Sequence, residues 1–222
     1  MSAATFGRYG LSNNGNAGAA HHVLSGSNQG AQFAMRLGKI AYYADFILAP
    51  MLIAFLMWRA PLSATATAAG AWLGWVAVGF VFWTLLEYVV HRFIYHHVPY
   101  FREIHDAHHA EPNALIGAPP VVGLALIMLV FYVPLSGLGY AAASGFAIGG
   151  LLGYLGYMVL HHAAHHWDLK PGTWLFMARR HHALHHHASE EGNYGIVTSL
   201  WDHACGTAVP RSRAPKGRVL QS

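Results

Sequence analysis

What most constrains this chain is a series of four apolar stretches, each close to the length a helix needs to cross a bilayer. A hydrocarbon core about 30 Å thick takes about 20 helical residues. Ile40 to Trp58, Ala71 to Val90, Ala114 to Gly137 and Gly139 to Leu160 all approach that length. The third is interrupted by Pro119, Pro120 and Pro134, and the fourth carries Gly and Ala residues that let helices come close. Short links join the first to the second and the third to the fourth, so two helical hairpins are expected. Composition agrees. Charged residues make up only 10% of the chain and hydrophobic ones 55%, whereas soluble domains carry about 25% charged residues.

Basic residues set the expected orientation. Arg36 and Lys39 precede the first span, and Arg92, Arg102, Lys170, Arg179, Arg180, Arg211, Arg213, Lys216 and Arg218 fall on the same side; only Arg59 falls on the other. By the positive-inside rule both termini and every histidine group are cytoplasmic. The excess of +4 therefore reads as loop placement. No aromatic residues interleave with basic ones in the manner of a nucleic-acid surface, so no nucleic-acid partner is expected. The segment 1–35 is rich in Gly, Ala, Ser and Asn and reads as a disordered cytoplasmic tail, with His21 and His22 as solvated bystanders. Residues 36–207 form the membrane domain and 208–222 a basic C-terminal tail. The apolar centre Trp174 to Met177, flanked by Lys170 and Arg179, is too short to cross; it is either a segment on the bilayer surface or a loop anchored by one Trp. Cys205, the single cysteine, excludes an intramolecular disulfide and reads as a small packing residue.

Histidine is the unusual residue: 18, against 13 Lys and Arg together. Sixteen lie between His91 and His203, in four groups and a straggler. In "EYVVHRFIYHH", His91 and His96 are five apart, which fits no single face of a straight helix and implies a bend or a second metal. Glu87, four residues before His91, is placed to accept that ring's spare N–H, or else to act as a cap or interfacial charge. In "HDAHH", His105, His108 and His109 share one face at i, i+3, i+4. His161 and His165 are one turn apart in "YMVLHHAAHH", and His182, His185 and His186 repeat the i, i+3, i+4 pattern in "HHALHHH". An interval of four lets two imidazoles reach one ion. Polar rings at a membrane boundary are costly unless something satisfies them. One ion takes about four to six ligands, so ten spaced imidazoles suggest two. A haem would use only two of them, and the Glu-x-x-His pairs of carboxylate di-iron bundles are missing. The expected fold is thus all-α and integral to the membrane: four transmembrane helices in two hairpins, with a cytoplasmic, helical, histidine-rich cap holding a two-metal site.

These boxes resemble those of the fatty acid hydroxylase and sterol desaturase superfamily of membrane di-iron enzymes. The resemblance runs from "HRFIYH" through "HDAHH" and "GYLGYMVLHHAAHH" to "HHALHH", and ends in "NYGIVTSLWDHACGT", which is similar to that family's tail motif. It implies two irons, for which zinc can substitute in purified protein, held by His91, His96, His105, His108, His109, His161, His165, His182, His185 and His186. Tyr157, at the family's tyrosine four residues before the third box, selects His161 and His165 over His162 and His166, with a one-residue alternative left open. His97, His162, His166, His181, His187 and His203 then become supporting or surface residues, and Glu87, Asp106 and Asp202 are the acids available to balance metal charge. For Asp106 and Asp202 a helix cap or surface acid is the competing reading. Two departures bear on substrate: the first two boxes are closely spaced, and Met158 stands where the eukaryotic 2-hydroxylases have an acidic residue.

The activity so implied is hydroxylation of a lipid acyl chain, using O2 and a separate electron donor of the cytochrome b5, ferredoxin or reductase type, since no cytochrome b5-like domain is fused. Desaturation, or oxidation of a sterol or carotenoid ring, would use the same site. A metal carrier would instead need ionisable residues near mid-membrane, where Asp45 is the one acidic candidate. Trp75, Phe80, Phe82, Trp83 and Phe131 either line the acyl-chain space or simply pack and face lipid.

Overall fold

The computed structural model describes residues 36–62, 64–189 and 191–210. The expected N-terminal tail up to residue 35, with His21 and His22, and the basic residues from Arg211 onward lie outside these. Helices are the main elements of the described residues, and four of them are long and apolar enough to cross a membrane. These are α1 (Lys39–Met57), α2 (Ala66–Val89, continued by a π-helical turn Val90–Tyr95), α4 (Pro120–Ile127, continued by a π turn Met128–Tyr132 and a 3-10 turn Val133–Leu138) and α5 (Tyr140–His166). Three shorter helices lie beyond them: α3 (Pro99–Ala110), α6 (Trp174–His187) and α7 (Leu200–Ala204).

The third span differs from expectation at its start. Residues 114–119 are not helical. Leu37 N–H donates to the Leu115 carbonyl at 2.8 Å, and Arg36 bridges to Ile116. Pro120 opens the helix instead of breaking it, because the first helical position needs no N–H donor. The second span is longer than expected at both ends. The apolar centre Trp174 to Met177 is the first turn of α6, with Thr173 Oγ1 accepting the Phe176 N–H at 3.3 Å.

Helix α5 is the central strut, and it packs most closely on α2. Gly145, Gly149 and Gly153 recur every fourth residue and so line one face. A methyl group on Gly149 would meet the backbone of Val76 and Phe80, one on Gly145 the Trp72 carbonyl, and one on Gly153 the Trp83 ring. Across the interface Gly79 meets the Phe146 carbonyl in the same way. This is backbone-to-backbone packing of the small-residue kind, where lipid provides no hydrophobic drive and close contact must. On the opposite end from the histidines, Gly139 (φ 97°) makes a one-residue link between α4 and α5. There Tyr140 Oη–H donates to the Leu56 carbonyl at 2.6 Å and Arg59 lies 5.1 Å from the Tyr140 ring, tying the two hairpins together.

Gly149→Leu is expected to cost at least about 1–3 kcal/mol through overpacking, seen as a lower unfolding temperature in detergent. Gly74→Leu, on a part of α2 where an added Cβ meets nothing within 4 Å, should leave it almost unchanged. Equal effects would show that the α2–α5 contact does not govern stability.

Candidate metal centre

The ten spaced histidines converge where α2 and α5 emerge, and they form two groups. His108, His161, His165, His182 and His186 make one; His91, His96, His105 and His185 make the other, with ring nitrogens in each group all within 4.8 Å of one another. His109 joins the second group, its Nε2 3.0 Å from that of His105 and 3.1 Å from that of His185.

Helix phase explains the division. In both i, i+3, i+4 triads the i and i+4 residues enter one group and the i+3 residue enters the other. At 3.6 residues per turn, i and i+4 differ by about 40°, while i+3 diverges from i+4 by about 100°. So α3 sends His105 and His109 one way and His108 the other, and α6 sends His182 and His186 one way and His185 the other. His91 and His96 enter the same group although they are five apart, because the π turn Val90–Tyr95 between them bonds i→i+5 and so brings residues five apart toward one face. Their rings stack with centroids 5.4 Å apart.

The third-box doublets separate by face. His161 Nε2 lies 2.9 Å from His108 Nε2 and His165 Nε2 2.9 Å from His182 Nε2. His162 turns away to Tyr42 Oη at 3.2 Å and stacks on the exposed His166. His97 and His187 are exposed, and His203 bonds to the Ser199 carbonyl at 2.8 Å.

The donor set fits a pair of metal ions. Ligands about 2.0–2.1 Å from a metal lie about 3 Å apart at right angles and about 4 Å apart across it. The Nε2 pairs, at 2.9–3.1 Å within groups spanning at most 4.8 Å, match that spacing. Burial, reinforced by neighbouring imidazoles, holds His108 down to about 3 and His109 to about 4, and pushes His182 and His185 well below the usual imidazole range. These rings are therefore neutral near pH 7, the state in which imidazole binds metal.

Two of them have their tautomer fixed from outside. His91 Nδ1–H donates to the Tyr194 carbonyl at 2.6 Å and His185 Nδ1–H to the Gly192 carbonyl at 2.8 Å, leaving each Nε2 lone pair facing inward. Both carbonyls belong to the loop after α6, where Asn193 takes a left-handed φ of 56°. Asp202, fully buried, organises that loop. It accepts from the N–H groups of Tyr194 (2.8 Å) and Gly195 (2.9 Å), from Thr207 Oγ1 (2.8 Å) and from His181 Nε2 (3.2 Å). Burial alone would raise its pKa, but those bonds outweigh it and hold the carboxyl below its usual value. Glu87 Oε1 fastens the same loop by accepting from Ile196 N–H (2.5 Å) and Val197 N–H (3.1 Å). It does not take the His91 N–H, as one sequence reading had it; the Tyr194 carbonyl does. Asp106 is a surface acid, exposed and 3.5 Å from Arg102. Trp201 Nε1–H completes the attachment by donating to Thr84 Oγ1 at 3.1 Å. Sequence reasoning missed the Gly192 and Tyr194 carbonyls because they carry no side-chain signal. The only hint was the tail motif around them.

Two overlapping cavities, of about 250 and 330 Å³, run from the imidazoles into the membrane region. His108 and His161 border both, followed by Tyr157, Tyr154, Leu86 and Trp83. Phe131 also lines the larger, whereas Trp75, Phe80 and Phe82 line neither.

The chain matches the family described as fatty acid hydroxylase over residues 76–207. It is 33% identical over 156 residues to fatty acid 2-hydroxylase from Mus musculus, covering 65% of this chain and 42% of that protein. It is 33% identical over 141 residues to dihydroceramide fatty acyl 2-hydroxylase FAH2 from Arabidopsis thaliana (60% and 59%), and 33% over 147 residues to ceramide very long chain fatty acid hydroxylase SCS7 from Saccharomyces cerevisiae (59% and 36%). The chain thus spans about two fifths of the mouse relative's length. The solved structure of full-length scs7p, with only its hydroxylase domain visible, shares the fold at a TM-score of 0.65 and 24% identity, over 77% of this chain and 67% of that one.

Asp202→Ala strands buried N–H groups and is expected to cost roughly 1–3 kcal/mol, read as thermal unfolding in detergent. Asp106→Ala, at an exposed ion pair, should stay within about 0.5 kcal/mol. A neutral Asp202→Ala would remove its role as the loop's organiser.

Proposed function

The chain belongs to the fatty acid hydroxylase family, and on that premise we propose that it is a membrane di-iron oxygenase that hydroxylates the acyl chain of a lipid. The observation that carries this reading is the meeting of two five-imidazole groups with an apolar cavity at one end of the bundle. Neutral nitrogen donors suit iron and zinc alike, but zinc has no redox chemistry and hydroxylation with O2 requires it, so iron is the working metal. The named activities of the mouse, Arabidopsis and yeast relatives support the same reaction class.

His108, His161, His165, His182 and His186 would hold one iron and His91, His96, His105, His109 and His185 the other. When bound, the iron pair supplies the reduction of O2 and the oxidation of an unactivated C–H bond. The protein's part is to keep the ligands in place, with the Gly192 and Tyr194 carbonyls orienting His185 and His91. It also guides the chain: Trp83, Leu86, Val90 and Ile116 give the cavity an apolar wall that excludes water beside the imidazoles. Asp202, buried and one residue behind His91 through Tyr194, would offset part of the positive charge. Electrons come from a separate donor protein. Lys39, Arg92, Arg102, Lys170, Arg179 and Arg180 are on the histidine side and Arg59 on the other, which supports a cytoplasmic histidine side.

The test is expression in a host with traceable lipids under labelled dioxygen, followed by mass spectrometry. Labelled oxygen should appear in a lipid acyl chain with the native protein, fall to background with His108→Ala, and persist within a few-fold with His162→Ala. Metal analysis should give two ions per chain, as iron or as zinc acquired in purification, and about one after His108→Ala. Lipid products without label, together with no more than one tightly held metal in the native protein, would refute the assignment.

A further inference from the structure

Asp45 is a carboxylic acid inside a membrane span. It lies six residues into α1, about 9 Å along the helix from Lys39, and is only 4% exposed. A carboxyl group at such a depth is costly and persists where it is paired or serves a site. Half of it is paired: Tyr154 Oη–H donates to Oδ2 at 2.7 Å. The other oxygen, Oδ1, is shielded from solvent and finds no hydrogen-bond partner among the described residues. Such a buried orphan acceptor costs about 1–3 kcal/mol unless something supplies a donor.

The surroundings say what could. Asp45 and Tyr154 line the larger cavity, whose upper end is bordered by His108, His161 and His165. Tyr154 precedes His161 by seven residues on the same helix, about 10 Å, so a ligand touching the pair reaches toward the imidazoles. Among the described residues Asp45 is the sole acid along this cavity, which gives a divalent cation only one carboxylate. Neither Lys nor Arg lines it among the described residues, so no fixed positive charge there would pair with a fatty acid's free carboxylate. A neutral hydroxyl or amide N–H is what Oδ1 can accept.

On the lipid-hydroxylase reading above, we propose that Asp45, held by Tyr154, is a binding subsite for a neutral hydrogen-bond donor, a hydroxyl or amide N–H, on the lipid substrate. The subsite sets how far the lipid advances toward the imidazoles and selects donor-bearing neutral lipids over free fatty acids. A site built to bond a donor rejects the analogue lacking it far more strongly than an apolar pocket rejects a missing methylene.

The test is equilibrium binding to the full chain in nanodiscs, with a short-chain dihydroceramide, its N-methyl derivative and its O-methylated derivative as probes. For the native protein one methylated probe should bind at least about tenfold more weakly than the parent; which one identifies the amide or the hydroxyl as the donor. Asp45→Leu should weaken the parent by a similar factor and bring the ratio near one. Tyr154→Phe, which frees the carboxyl to rotate, should reduce the ratio part-way, and covers the case in which Asp45→Leu does not fold. Equal binding of all three probes by the native protein, no binding of any, or a ratio that survives Asp45→Leu overturns the subsite. Labelled-oxygen incorporation is scored separately: its loss with the binding ratio intact refutes the oxygenase reading alone, and its retention with the ratio at one refutes the subsite alone.

Discussion

The site depends on the close approach of α2 and α5. Each carries a histidine pair at its end, His91 with His96 and His161 with His165, and the distance between those ends is set several turns away, where Gly79 and Gly149 let the backbones touch. In a bilayer, association cannot draw on excluding water, so shape complementarity decides it. A larger residue at either glycine would spread the helices and draw the two imidazole groups apart.

Upon this frame the two imidazole groups are built by one repeated rule. Each receives a pair from a membrane helix, a pair from a cap helix and a single histidine from the other cap helix. The first group takes His161 and His165 from α5, His182 and His186 from α6 and His108 from α3; the second takes His91 and His96 from α2, His105 and His109 from α3 and His185 from α6. Because α3 and α6 contribute to both, neither position can shift without turning helices that serve the other. Five nitrogens in each group would leave an ion that takes six ligands one further place for a small ligand.

Much of this was legible in the sequence because helix phase is arithmetic. Intervals of four and of three-then-four selected His105, His108, His109, His182, His185 and His186, and the interval of five at His91 and His96 already demanded something other than a straight helix. The π turn is that something. The Gly and Ala residues of the fourth span announced a close contact without naming the partner face. Illegible were the parts carried by the backbone and by long-range closure. No side chain marks the Tyr194 carbonyl as the acceptor for His91, and nothing in "SLWDHACGT" says that Asp202 gathers the N–H groups of Tyr194 and Gly195. Glu87 was recognised as close to His91 in sequence, but helix proximity of four residues is only an opportunity. Two N–H donors from a loop more than a hundred residues on took its Oε1.

That loop answers a chemical need the histidines cannot meet alone. An imidazole presents a lone pair at Nε2 only if the proton is on Nδ1, and a buried Nδ1–H must itself have an acceptor. Carbonyls supply one without adding charge, whereas a carboxylate in the same place would pull the ring toward imidazolium. Two of the buried acids are accordingly placed one step back: Asp202 and Glu87 bind the loop's N–H groups, and the loop's carbonyls bind the rings. Negative charge thus stays near the imidazoles, and peptide groups carry its influence to His91. The same economy explains why the tail segment is tied so firmly to α2 through Thr84, Glu87 and Tyr88. It is the part of the cap that holds His91 and His185 in the tautomer a metal can use.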